Sequence, residues 1–484
     1  MQERLETENV LFGIVITVFV GITLAMGWIT YSQKPHPPEK TLKVLGPSDP
    51  SYVKLQNGFT AAYKKIHPEM EIQYISFPWN NIWRKLQFLI VANIPPDVSS
   101  IWQANLPQFV YMNSVEPLDE WMRNDDSFDV SSLYQVCVDE GNWDNVQYAL
   151  PYEFSPVCLW YNKTLFDRHG VAYPSRDWTQ DDLVAAAKRL TKDINGDGIP
   201  DQYGFYNDNN HWNRYSAFIW MRGGEFYSAD WKRCTFDDPK VIASFQWLAD
   251  LSLKEWVMPK WGYLGTITST NLMLGGRLGM ITDTRYAMTQ FYLEKNRDKI
   301  KDFTFDVCEL PHDVKRASCL VVSQIMMPRT VPAERKQMAW DYMKFVLSKE
   351  GQEVIAKENT ALSTRIETAE EMVVHPGKMP EHDRAFLDSI AYGRYCYWPF
   401  PAEEQFLAAR SDLQAVWNGQ VSAEEVCRKA AVNMTKAMDD FYRLHPAAKV
   451  PIKTKFVPFD KRTVEKDAGG VGSAALVDTA SAAQ

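Results

Sequence analysis

The chain has 484 residues, 45% hydrophobic and 23% charged, with a net charge of −9 and a pI near 5.5. That length suits two or three domains or one large two-lobed one. The acidic balance, with no long Lys/Arg run, argues against nucleic acid as a partner. The seven cysteines are scattered and odd in number, and no CxxC or Cys/His spacing points to zinc. Buried, small apolar roles are expected for most of them, and one disulfide stays open. Aromatics are plentiful, with 17 Trp, 22 Tyr and 24 Phe. Trp packs cores, and it also offers a flat face for stacking a sugar ring.

In chain order, residues 1–9 form a short tail and 10–30, "VLFGIVITVFVGITLAMGWIT", hold no charge. At ~1.5 Å per residue such a run reaches across a ~30 Å bilayer core. It is expected to be an uncleaved transmembrane helix, with a signal peptide as the alternative. Lys34, Lys40 and Lys43 after the run, against Arg4 before it, count against exporting the body, but long domains translocate largely regardless of charge. The expectation is a single-pass membrane protein with an extracytoplasmic, monomeric body. Residues 31–40 read as a Pro-rich linker and 463–484 as a small, polar, disordered tail.

Between them strands and helices alternate. "TLKVLG" (41–46), "EIQYISF" (71–77) and "DVSSIW" (97–102) read as strands. A helix over 58–66 places Phe59, Ala62, Tyr63 and Ile66 on one face, and "WRKLQFLIVA" is a second helix ending at Asn93. Further helices are expected at "QDDLVAAAKRL", with a Thr179/Asp182 capping box, at 239–252 and at 334–348. Strands are expected at 276–283 and 303–311, and the segment after 380 is mainly helical. The class is α/β.

Six stretches then carry a resemblance. They are "PPDV" (95–98), "VEPLDEW" (115–121), "YALPYEFSPVCLWYNKTLFDRHGV" (148–171), "DWTQDDLVAAAKRLTKDINGDGIPDQYGF" (177–205), "GGRLGMITD" (275–283) and "AWDYMKFVLSKEGQE" (339–353). In this order they resemble the extracellular solute-binding proteins of carbohydrate ABC importers, the group containing maltose-binding protein. The resemblance implies a periplasmic-binding-protein-like fold: two α/β lobes, a hinge and a ligand cleft between them. It also implies a carbohydrate ligand, an ABC permease as partner and no chemistry of the protein's own. Crossings fall near 152–155, 310–313 and 347–351, giving lobe one as 41–151 with 312–348 and lobe two as 152–311 with 349–462. A sensory ectodomain and a glycoside hydrolase are the alternatives, although no G-x-S-x-G, H-E-x-x-H or Walker A motif is present.

A sugar cleft needs aromatic faces for pyranose C–H patches and charged or amide groups for hydroxyls. On position and on the resemblance, the candidate ligand residues are Asp49, Trp79, Trp102, Glu153, Trp212, Trp261, Tyr263 and Trp398. Arg285 joins them because it stands where relatives carry a Trp; a guanidinium there would suit an anionic ligand, or equally salt-bridge Asp283. The usual glycine-rich strand is replaced by "VKRASCLVVS" (314–323), without Gly. No cofactor is required, but "DINGDGIPDQYGF" (193–205) offers a possible structural calcium site. Asp193, Asn195, Asp197 and Asp201, with the Ile199 carbonyl, have EF-hand-like spacing. Gly204 stands where a switching EF-hand has its bidentate Glu, so a staple is expected rather than a sensor.

Overall fold

The structure is a computed structural model describing residues 40–263, 268–292, 296, 303–375, 377–397 and 401–445. A larger sheet has strand order β12-β6-β11-β3-β1-β2, with β13 also pairing β11. These strands are β1 (Thr41–Pro47), β2 (Glu71–Phe77), β3 (Val98–Trp102), β6 (Leu150–Pro156), β11 (Ser318–Met326), β12 (Leu362–Ser363) and β13 (Gly393–Arg394). A smaller sheet runs β10-β7-β9-β8, from Phe305–Cys308, Cys158–Asn162, Leu278–Asp283 and Tyr203–Tyr206. A hairpin of β4 (Asn142–Trp143) and β5 (Val146–Gln147) stands apart.

Local chemistry explains the elements. The first helix, Pro50–Ile66, starts on Pro at N1 behind Asp49 and buries Leu55, Phe59 and Tyr63. Its last turn runs into solvent, so Ile66, predicted inward, is 57% exposed. The buried face meets helix Ala333–Leu347, with Tyr63 ring centroids 5.2 Å from Tyr342 and 5.0 Å from Phe345. Burying a side chain of that size is worth about 2 kcal/mol. Arg335 of the same helix pairs with buried Asp97 at 2.6 Å, and Asp97 also accepts from the Lys43 backbone N–H at 2.7 Å. The helix Gln180–Leu190 carries the expected Thr179/Asp182 capping box. The glycine of "YGF" lets β8 lie against this helix, because a Cβ on Gly204 would sit 2.0 Å from the Ala187 carbonyl oxygen.

Only Val157 separates β6 in the larger sheet from β7 in the smaller one, and 309–317 make the return between β10 and β11. The two links are tied together. The Val157 N–H donates to the Cys319 carbonyl at 3.0 Å, and Ser318 Oγ donates to the Val157 carbonyl at 2.8 Å. This is a compact pivot between two sheets; each packs a core of its own, and a third core, joining Phe154, Leu320 and Val322 to Trp160 and Phe305, spans both. Helix Lys349–Glu358 and β12 follow, and β12 pairs with β6 in the larger sheet.

The membrane expectation is corrected. Among the described residues no helix is long and apolar enough to cross a membrane. The 10–30 segment, the tail before it, most of the 31–40 linker and the 463–484 tail lie outside the described residues. The described architecture is two α/β lobes, and single-pass localisation and membrane attachment through residues 10–30 are not carried further.

Candidate functional site

A cavity of about 800 Å³ is lined largely by aromatics. One wall comes from helix Trp212–Met221 and the loop after it, through Trp212, Trp220, Tyr227 and Trp231. The facing wall is Glu140 and the strap that follows β13, with Tyr395 and Tyr397. Tyr227 and Trp231 stack at 5.6 Å with 20° between planes, and Trp231 reaches Tyr397 at 5.4 Å and Trp143 at 6.5 Å. Trp143 and Tyr397 pack with the larger sheet, whereas Trp212 and Trp220 belong to the core of the smaller. The cavity thus lies between the lobes. Trp231 sits there at φ 59°, a left-handed conformation that costs a bulky residue free energy.

Two polar fixtures stand among these rings. Arg394 donates to both carboxylate oxygens of Glu225, at 2.8 and 2.7 Å, and lies over the Trp220 ring at 4.8 Å. Tyr397 Oη donates to the Glu140 carboxylate at 2.6 and 2.8 Å. Burial, then the Glu140 charge, pushes the Tyr397 phenol up, so it stays a donor.

Trp102 and Trp212, from opposite lobes, meet at 5.3 Å. Among the described residues, the indole N–H of Trp102 and both amide atoms of buried Gln324 on the adjacent strand have no protein partner. Trp79 stands edge-on to Tyr52 at 5.3 Å, and Tyr52 stacks on Tyr286 of the other lobe at 6.4 Å. Ser51 Oγ and Tyr286 Oη hydrogen-bond at 3.1 Å across the same gap, beside half-buried Asp49. Glu153 is 1% exposed on β6 and accepts from Thr360 at 3.1 Å and from Tyr52 and Ser323. Burial raises its carboxyl above the usual range despite those donors. Trp261 lines a separate 140 Å³ pocket with Tyr206, Asn207 and Trp417. Tyr263 is 55% exposed and touches Tyr203 edge-on. Trp398 lies outside the described residues.

Arg285 is placed differently from the expectation. It is fully buried, its Nε and Nη2 donate to Asp383, and its Nη1 donates to Asn359 at 2.5 Å. Its guanidinium is spent inside the protein, so it presents no anion site. The cavity residues Trp231, Tyr395, Tyr397, Glu225 and Arg394 were missed by sequence reasoning. The signal available was the aromatic density of "EFYSADW" (225–231) and "GRYCYW" (393–398), from which Trp398 alone was singled out.

In the 193–201 loop the side chains serve the backbone. Asp193 accepts from the N–H groups of Gly196 and Gly198 at 2.7 and 2.8 Å, and Asp201 from those of Ile194 and Asn195 at 2.9 and 3.0 Å. Gly196 and Gly198 turn the loop at φ 79° and 87°. Elsewhere, Asp306, Glu381 and His382 bring ligand atoms within 4.8 Å of one another and could hold a metal ion. The Lys163 ammonium already lies 3.0 Å from Glu381 and 4.0 Å from Asp306. Neither arrangement singles out calcium.

The family model described as bacterial extracellular solute-binding protein matches residues 46–353, well over half of the chain. The chain belongs to that family. Binding proteins of Brucella abortus and Brucella suis are 30% identical over 144 residues, which is 30% of this chain and 33% of theirs. The match thus spans about a third of the length of these curated relatives. Among solved structures, the Listeria monocytogenes ABC substrate-binding protein in complex with cycloalternan superposes with TM-score 0.73 at 21% identity, covering 82% of this chain and 98% of its own. The Thermotoga lettingae ABC transporter solute-binding protein bound with α-D-tagatose gives 0.70 at 20%, covering 83% and 100%. These likenesses fix the fold: two lobes about a pivot, of the solute-binding type.

Proposed function

We propose that the protein is the extracytoplasmic binding component of an ABC importer, taking a sugar or oligosaccharide in the interlobe cavity and passing it to a permease. The observation that carries this reading is the aromatic cavity bridging the lobes, with Trp212, Tyr227, Trp231 and Tyr397 around the Arg394–Glu225 and Tyr397–Glu140 pairs. Flat rings cover pyranose C–H faces, and bidentate charged groups bind paired hydroxyls. An 800 Å³ space between lobes is within the range of ligand sites. Trp102, Trp79 and Asp49 extend the same cleft in this reading, whereas Trp261 lines its own pocket and Tyr263 packs on Tyr203. The lobe bounds proposed from sequence, 41–151 with 312–348 and 152–311 with 349–462, stay part of this proposal, except that β6, β12 and β13 belong to the larger sheet of lobe one. A panel of neutral and acidic glycans, screened against the full chain by thermal shift, tests it. A ligand at ~100 times its dissociation constant adds ~2.7 kcal/mol. Folded protein that shifts with no glycan defeats the sugar reading.

The finer reading of the 193–201 loop is a structural calcium staple, supported by oxygens at alternating positions around Gly196 and Gly198. Chelation with EGTA then lowers Tm, and calcium restores it. An unchanged Tm leaves a bare Asx turn held by its own backbone N–H groups.

A further inference from the structure

Cys319 on β11 and Cys396 just after β13 stand with their sulfurs 3.6 Å apart, and both are buried. Other cysteines face different groups: Cys158 turns to Ser389, Cys234 to Met434 and Cys308 to Glu309. Backbone pairing already holds the two segments side by side, with Ser318 opposite Gly393 and Cys319 opposite Arg394. A disulfide at ~2.04 Å needs the sulfurs to close by roughly 1.5 Å, within the reach of χ1 adjustment in two short side chains.

We propose that Cys319 and Cys396 form a disulfide in the mature protein, which clamps the cavity's aromatic strap to the pivot between the lobes. The Cys319 carbonyl takes the Val157 N–H at the pivot, and Cys396 shares the cavity wall with Arg394, Tyr395 and Tyr397. The bond therefore fixes one wall of the cavity to the point about which the lobes turn, so the strap moves with the larger sheet. The two thiols give up two protons and two electrons. The electrons go to a disulfide oxidant, a thiol–disulfide oxidoreductase or a small-molecule disulfide, which is reduced to two thiols. Burial, and then the neighbouring Cys319, pushes the Cys396 thiol up, so the thiolate is scarce once the strap has docked. The bond accordingly forms during folding, and a reductant reaches it as the chain opens on heating. The sequence separation of 77 makes the constraint on the unfolded chain large.

The test does not depend on the ligand. The full chain is refolded in a buffer of reduced and oxidised glutathione, denatured in N-ethylmaleimide, digested and mapped by mass spectrometry. The expected result is a linked Cys319–Cys396 peptide pair and two fewer alkylated thiols than the seven of the chain. A reductant then lowers Tm by several degrees in the wild type and leaves the Cys319→Ser/Cys396→Ser variant unmoved. Seven alkylated cysteines, or linkage between other cysteines, overturns the proposal. The peptide map on the wild type decides the matter even where the double variant fails to fold.

Discussion

Two arginine–carboxylate pairs of like geometry lie in this molecule and do opposite things. Arg285 and Asp383 are 1% and 0% exposed, and they lock the turn after β9 to the segment around 383 with help from Asn359 and His375. Arg394 and Glu225 are 36% and 46% exposed, and they span the cavity between strap and loop. Both are bidentate. Burial separates them: the first pair has no water to fall back on and so is a structural bolt, while the second can exchange its partner for a ligand at small cost. A guanidinium near a cleft is therefore no evidence of ligand chemistry until its surroundings are known.

The sharpest way to break the comparison is Asp383→Ala. It leaves the Arg285 charge buried without its partner and is expected to cost about 3–5 kcal/mol in denaturant unfolding. Trp231→Ala comes next. It removes the ring shared by Tyr227 and Tyr397, and glycan affinity by calorimetry is expected to fall about 10- to 100-fold with little loss of stability. Equal affinity would place the ligand elsewhere. Arg394→Ala is expected to change stability by no more than about 1 kcal/mol, because the pair is half exposed, yet to weaken glycan binding. A large stability loss there would erase the distinction between the two pairs.

The smallest effect concerns pH. Burial would raise the Asp383 carboxyl, but the Arg285 and His375 interactions outweigh it and hold the group below the usual range. Its contribution is present above the unfolded carboxylate range near 4 and is lost as pH falls through the folded value. Burial raises Glu153 instead. Its contribution is full below the unfolded value and is lost as pH rises through the folded one. Unfolding free energies from pH 4 to 7 should thus rise more steeply with pH in Glu153→Gln than in the wild type. Identical slopes would show that Tyr52, Ser323 and Thr360 cancel the burial.

Much of the fold was legible because it is written in local periodicity. Strands β1, β2 and β3, the capped helix at 180–190 and the helix near 333–347 were all read within a few residues of their bounds. Caps and apolar spacing act over neighbouring residues, so one segment contains the whole signal. The site was less legible. Trp102 and Trp212 were singled out separately and do meet, but Trp231, Tyr397 and Arg394 were passed over and Arg285 was assigned an outward role.

The sequence by itself determined the alternation of elements, their order and the capping box, together with the six motifs that mark the family. Only the tertiary structure decided which aromatics face a shared cavity, which arginine is buried and which thiols touch. Those facts depend on residues 77 to 257 positions apart being brought within a few ångströms, and the free energy of a charge or ring depends on the solvent that this packing leaves beside it.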